Sequence, residues 1–95
     1  MPKGYIVARA IVTNPEQWAK YAAAAGAAMK KYAGTPLARG GRHELLEGAG
    51  VPRNVVIEFA SYEAALIYAK SPEYAAARQL RQGAGTIDMV VVEGT

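Results

Sequence analysis

No cysteine occurs in the 95 residues, histidine occurs once, and tryptophan and phenylalanine occur once each. The first absence excludes disulfides, thiolate nucleophiles and sulfur-ligated zinc, and it accords with a reducing compartment. The scarcity of histidine excludes a metal site built on two or three imidazoles of one chain. Zinc is therefore not expected, and a haem iron would have to take His43 or a residue other than histidine. Also missing is any apolar run near the roughly 18 residues that a membrane span requires. The hydrophobic fraction of 52% is carried largely by alanine. Met1-Pro2-Lys3-Gly4 leads straight into a strand pattern, without the apolar stretch or the small-residue cleavage site of a secretory signal. These absences predict a cytoplasmic protein with no membrane partner. Charge of one sign is in short supply too. Eleven Lys and Arg against eight Asp and Glu leave +3, a slight preference for anions that an ordinary solvated surface explains as well. Residues 1–95 are expected to form one domain, since two halves would each be too small to bury a core without disulfides or metal.

What is present is organised around Val55 to Tyr74. Val55, Ile57 and Phe59 alternate with Val56 and Glu58 at the period of a strand. Ser61 caps a helix through Tyr68, with Glu63 in its positive first turn. Ser71-Pro72-Glu73 repeats the start signal, because Pro at the first helical position gives up only an amide that had no partner. The second helix is therefore expected in two pieces. Upstream, Tyr5 to Val12 reads as a strand with Ile6, Ala8, Ala10 and Val12 on one face and Tyr5, Val7, Arg9 and Ile11 on the other. Asn14 caps a helix starting at Pro15, with Gln17 placed to reach back as in a capping box. Trp18, Tyr21, Ala22, Ala25, Met29 and Tyr32 form its apolar stripe. Gly26 interrupts that helix at a position where another backbone could come close, or as a tolerated weak point. Gly34 suits a left-handed helix end. Thr35 to Glu47 is expected as the second strand, bent at Gly40-Gly41 and continued by Leu45 and Leu46 before the loop at Gly48 to Pro52. Thr86 to Glu93 is the last strand.

The order strand, helix, strand, strand, helix, strand is the α+β, ferredoxin-like βαββαβ arrangement, a four-stranded antiparallel sheet with its helices on one face. The other face carries Val7, Ile11, Val90 and Val92. A patch of that kind marks an interaction surface, and burial against a second copy would give a two-fold homodimer joined by its sheet faces.

Gly4-Tyr5-Ile6-Val7-Ala8, Thr13-Asn14-Pro15-Glu16, Leu37-Ala38-Arg39-Gly40-Gly41, Leu46-Glu47-Gly48, Ile57-Glu58-Phe59, Ser71-Pro72-Glu73-Tyr74 and Val92-Glu93-Gly94, in that order, resemble the small bacterial domain-of-unknown-function 1330 family over nearly the whole chain. The resemblance implies a ferredoxin-like fold pairing as a dimeric α+β barrel. The superfamily it points to also contains cofactor-independent monooxygenases, muconolactone isomerase and haem-binding members. It implies no particular reaction.

Among the residues with chemistry to offer, Arg39 and Arg42 flank the Gly40-Gly41 pair. Arg39, Gly40, Gly41 and Arg42 are the candidate ligand-binding segment, with the arginines gripping a carboxylate or phosphate while the glycines let it approach the backbone. Arg53 belongs to the same basic group. The competing account pairs these arginines with Glu44, Glu47 and Glu58. His43 is the candidate catalytic residue, since imidazole suits proton transfer near neutral pH, but a histidine between Arg42 and Glu44 is more often a polar edge residue. Arg9 and Glu58 each interrupt an apolar central strand, and a mutual salt bridge is the expected solution. Trp18, Tyr21, Tyr62, Tyr68 and Tyr74 read mainly as packing, though a tyrosine hydroxyl turned toward a pocket could serve a substrate oxygen. No cofactor and no metal ligand set is indicated. The aromatic signature of RNA-binding sheets is absent, so nucleic acid is not an expected partner. Two readings follow: a homodimer that binds or converts a small anionic or carbonyl-bearing molecule between helices and sheet, or a non-catalytic binding or structural homodimer.

Overall fold

Residues 2–95 are described by a computed structural model. Strand β1 (Gly4–Val12) is followed by helix α1 (Pro15–Lys31), β2 (Thr35–Arg39), β3 (Arg53–Phe59), α2 (Tyr62–Ala69), α3 (Pro72–Gln79) and β4 (Gly85–Glu93). All strand pairs are antiparallel in the order β2-β3-β1-β4. This is the ferredoxin-like topology, with β1 and β3 at the centre of the sheet.

The register sorts side chains into two faces. Toward the helices, Val55, Ala8 and Met89 form one cross-strand row and Ile57, Ile6 and Val91 the next. Ile6 and Phe59 are fully buried there, with Tyr68 of α2 stacked on Phe59 at 5.3 Å between ring centres. Toward the open side, Val56, Val7 and Val90 make an apolar row. It is flanked by the row Asn54, Arg9 and Asp88 and by the row Glu58, Tyr5 and Val92.

Both expected N-caps of the later helices form. Ser61 Oγ accepts from the Ala64 amide at 3.0 Å and Ser71 Oγ from the Tyr74 amide at 3.1 Å. Between α2 and α3, Pro72 has no amide to donate and its ring crowds the preceding turn. The Tyr68 carbonyl accepts instead from the Ser71 amide and, at 2.7 Å, from the Ser71 hydroxyl. Asn14 Oδ1 caps α1 by accepting from the Gln17 amide at 3.2 Å.

Three local expectations are corrected. The Gln17 side chain does not close a capping box. It donates to the Leu80 and Gln82 carbonyls at 3.0 and 2.7 Å, orphan acceptors beyond the end of α3, and ties the two helices together. At the end of α1, the left-handed residue is Ala33, at φ 62°, and not Gly34. The Ala33 amide bonds the Lys30 carbonyl and the Gly34 amide bonds the Met29 carbonyl, the two closures of a Schellman motif. Strand β2 stops at Arg39 and does not reach Glu47. The Gly40 amide makes one more bond, to the Asn54 carbonyl at 2.8 Å, and φ of 66° at Gly40 then turns the chain out of the sheet. Leu45 and Leu46 lie in the exposed loop that follows.

Candidate functional site

A cleft of about 90 Å³ opens between α1 and the sheet. Its origin is legible in residue size. The sheet presents Ala8 and Ala10 from β1, and α1 presents Ala22, Ala25 and Gly26, so neither surface has the bulk to fill the space between them. A Cβ placed on Gly26 would meet nothing within 4 Å, so Gly26 faces open space and not a neighbouring backbone. Larger side chains close the ends of the gap. Trp18 reaches the backbone of Gly85 at the start of β4, and Met29 packs by Gly34 and Phe59 at the other end.

Two kinds of polar group line this apolar space. On the sheet wall are Arg39, from the helix-facing side of edge strand β2, and Arg53, from the start of β3. Neither makes an ion pair among the described residues, where the only two are Lys3 with Glu58 and Lys31 with Glu73. On the helix wall, the hydroxyls of Tyr21 (α1) and Tyr74 (α3) lie 2.8 Å apart, both on buried residues. Burial pushes the Tyr21 hydroxyl well above the usual phenol range, and its bond to Tyr74 adds to the shift. Tyr68 also lines the cleft and is pushed up by burial, and its hydroxyl donates to the Ala25 carbonyl at 3.3 Å. Arg81 lies 5.1 Å from the centre of the Tyr21 ring. The arrangement offers a carboxylate or other anion two guanidinium groups, an apolar body a slot between aromatic rings and methionines, and a ligand oxygen a phenol pair.

The segment singled out from the sequence is divided by the fold. Arg39 lines the cleft, whereas Gly40, Gly41, Arg42 and His43 do not. The space over Gly40 is taken by the chain itself, because a Cβ there would lie 2.6 Å from a terminal nitrogen of Arg53. Gly41 faces open space. Arg42 is exposed, and His43 sits in the exposed loop with Nδ1 3.2 Å from the Gly41 carbonyl oxygen. His43 borders a second, larger depression of about 500 Å³ with Arg9, Glu44, Leu45 and Asn54, on the open side of the sheet and away from the cleft. The expected Arg9–Glu58 salt bridge is absent, since the register sets Arg9 opposite Asn54 and Glu58 opposite Tyr5. Arg9 donates to Asn54 Oδ1 at 3.2 Å and to the Ala49 carbonyl at 3.4 Å, and Glu58 accepts from the Tyr5 hydroxyl at 3.3 Å and pairs with Lys3 at 3.5 Å.

The family model for a domain of unknown function, DUF1330, matches residues 3–95. The chain belongs to that family. No curated protein matches it. Among solved structures, it is similar to a protein of unknown function from Rhodopseudomonas palustris, at 16% identity and a TM-score of 0.78 over 99% of this chain and 83% of that one. It is similar in fold to SnoaB, a cofactor-independent oxygenase from Streptomyces nogalater, at 14% identity and a TM-score of 0.63 over 100% and 95% of the two chains. A dimeric protein of unknown function with a ferredoxin-like fold, from Bacteroides fragilis, matches at 18% identity and a TM-score of 0.58 over 97% and 95%. No helix among the described residues of this DUF1330 chain is long and apolar enough to cross a membrane.

Two features of the DUF1330 cleft escape a reading by motif, while Arg53, already grouped with Arg39 from the sequence, does line the cleft beside it. Tyr21 and Tyr74 look like ordinary helix packing in the sequence, because only the crossing of α1 and α3 brings their hydroxyls together. Gly26 carried a signal, since a glycine among alanines on a helix face facing an alanine-bearing strand leaves volume unfilled.

Proposed function

We propose that this DUF1330 chain is a homodimeric small-molecule-binding protein whose ligand, anionic or carbonyl-bearing, occupies the cleft between α1 and the sheet. The observation that carries the reading is the pairing of an unfilled, apolar gap with two arginines that pair with no carboxylate among the described residues. Interiors normally close such gaps, and cationic side chains beside apolar pockets recognise anionic groups. The fold shared with a cofactor-independent oxygenase supports the view that this architecture can house small-molecule chemistry. Dimerisation is supported by the exposed apolar row on the open face and by the dimeric state of a structural neighbour. Sheet faces packed together would complete a dimeric α+β barrel and leave the cleft, on the opposite side, free.

The test is a thermal-shift screen of the wild-type chain and Gly26→Leu against small carboxylates and carbonyl compounds. A side chain at position 26 enters open space, so the variant is expected to fold and to lose every shift that wild type shows. Shifts that persist in Gly26→Leu would place the ligand elsewhere. No shift with any compound would favour the second reading, a non-catalytic structural homodimer, which the apolar open face supports by itself.

A further inference from the structure

The hydroxyls of Tyr21 and Tyr74 bring two protons to a single mutual bond of 2.8 Å. One proton makes that bond, and the other has no acceptor among the described residues. Both residues are more than nine-tenths buried, at 7% and 3% exposure. The nearby Arg81 guanidinium can only donate, and the Ala25 carbonyl already accepts from Tyr68. A buried donor without an acceptor is costly, so this end of the cleft is complementary to an oxygen lone pair and not to another donor.

The sheet wall has the opposite requirement. Arg39 and Arg53 carry charges that no acidic side chain among the described residues answers, and guanidinium groups bind a carboxylate in bidentate fashion. Trp18, Met29, Ile87 and Met89 supply the apolar part of the lining, which suits a flat apolar body. The cleft of about 90 Å³ is half open to solvent, so a single-ring ligand would lie partly within it, with its charged end at the mouth.

We infer that the cleft is built for a two-ended ligand, a single-ring carboxylate whose anionic group meets Arg39 and Arg53 and whose far end presents an accepting oxygen to the Tyr21–Tyr74 pair. The inference rests on the cleft being the ligand site, as proposed above, and adds which chemistry it selects. A carbonyl at the far end takes the spare phenol proton, whereas a methyl group of similar size leaves it unanswered.

Isothermal titration of the full chain with three probes tests this. 4-Formylbenzoate has both ends, 4-methylbenzoate lacks the accepting oxygen, and 4-methylbenzaldehyde lacks the carboxylate. 4-Formylbenzoate is expected to bind about tenfold more tightly than either of the others, the worth of one hydrogen bond or ion contact made inside a protein. In Tyr21→Phe/Tyr74→Phe, which removes both hydroxyls and leaves none stranded, its advantage over 4-methylbenzoate should vanish while 4-methylbenzoate itself binds unchanged. In Arg39→Gln/Arg53→Gln both carboxylates should weaken about tenfold and 4-methylbenzaldehyde should not. The comparison on the unmodified chain decides the matter even if a variant fails to fold. Equal affinities for 4-formylbenzoate and 4-methylbenzoate would overturn the two-ended ligand and keep the cleft as a binding site. Absence of binding by all three at millimolar concentration would overturn the cleft reading and this inference together.

Discussion

At the scale of single residues, the chain stores one small strain and one exposed electrostatic clamp. Ala33 holds φ of 62° at the end of α1, a conformation that costs an alanine roughly 1 kcal/mol relative to glycine. Ala33 is exposed, so Ala33→Gly changes little else. We expect the variant to be stabilised by about 0.5–1 kcal/mol, read as a higher urea midpoint at unchanged slope. No gain would mean that the Schellman bonds at Lys30 and Met29 are not limiting. Glu73, at the start of α3, accepts from Lys31 and from the Tyr32 hydroxyl. These bonds, led by Lys31, hold its carboxyl down to about 2 from an ordinary value of 4.5. A depressed carboxylate stabilises the fold fully above the unfolded value and loses that contribution as pH falls through the folded one. The thermal midpoint should therefore drop between about pH 4.5 and pH 2, and drop less in Glu73→Gln. Parallel curves for the two proteins would show that the contact contributes nothing in solution, a common result for exposed pairs.

At the scale of elements, α1 is the unusual member, because α3 fastens it and the sheet scarcely touches its middle. Gln17 reaches the end of α3, Tyr21 meets Tyr74, and Lys31 and Tyr32 meet Glu73. The gap beneath α1 persists because its support lies to the side. That support depends on where α3 begins, and Ser71 sets the position twice over, by capping Tyr74 and by satisfying the Tyr68 carbonyl. Ser71 is buried, so no water replaces these bonds directly. Ser71→Ala should cost about 1–2 kcal/mol in chemical denaturation. A cost near zero would mean that Pro72 alone fixes the break. Ligand affinity should fall in the same variant if the cleft is the binding site, since Tyr74 is the residue directly capped.

At the scale of the whole molecule, the two faces of the sheet divide the work. The helix-facing side holds the aromatic series Trp18, Tyr21, Tyr74, Tyr68 and Phe59, each within about 6 Å of the next. The open side leaves Ile11, Val90 and Val92 exposed at 44%, 55% and 46%. Arg9 and Asp88 are cross-strand neighbours beside that apolar row, with no ion pair between them. Light scattering should give twice the chain mass of 10.1 kDa at micromolar concentration. Val90→Asp places a charge at the β4 end of the apolar row and should yield monomer or aggregate, since an unpaired charge buried at an interface costs several kcal/mol. A dimer of unchanged stability in Val90→Asp would show that a different face pairs.

The sequence alone determined the elements and their order, because strand alternation, the caps at Asn14, Ser61 and Ser71, and the prolines that follow Asn14 and Ser71 act over a few residues. It also determined the two faces of the sheet, since a period of two leaves each strand only two ways to point. What it could not settle depended on contacts between residues distant along the chain. The end of β2 was set by Gly40 turning under Arg53. The partners of Arg9 and Glu58 were set by strand register, which offsets the two charges along the β1–β3 pair. Gln17 preferred carbonyls beyond the end of α3 to its own helix start. The cleft is the clearest case, since it is volume left between surfaces of small residues, and its polar groups meet there only after α1 is fastened to α3. Local chemistry fixes which way a side chain points, but only the closed tertiary structure decides what it meets.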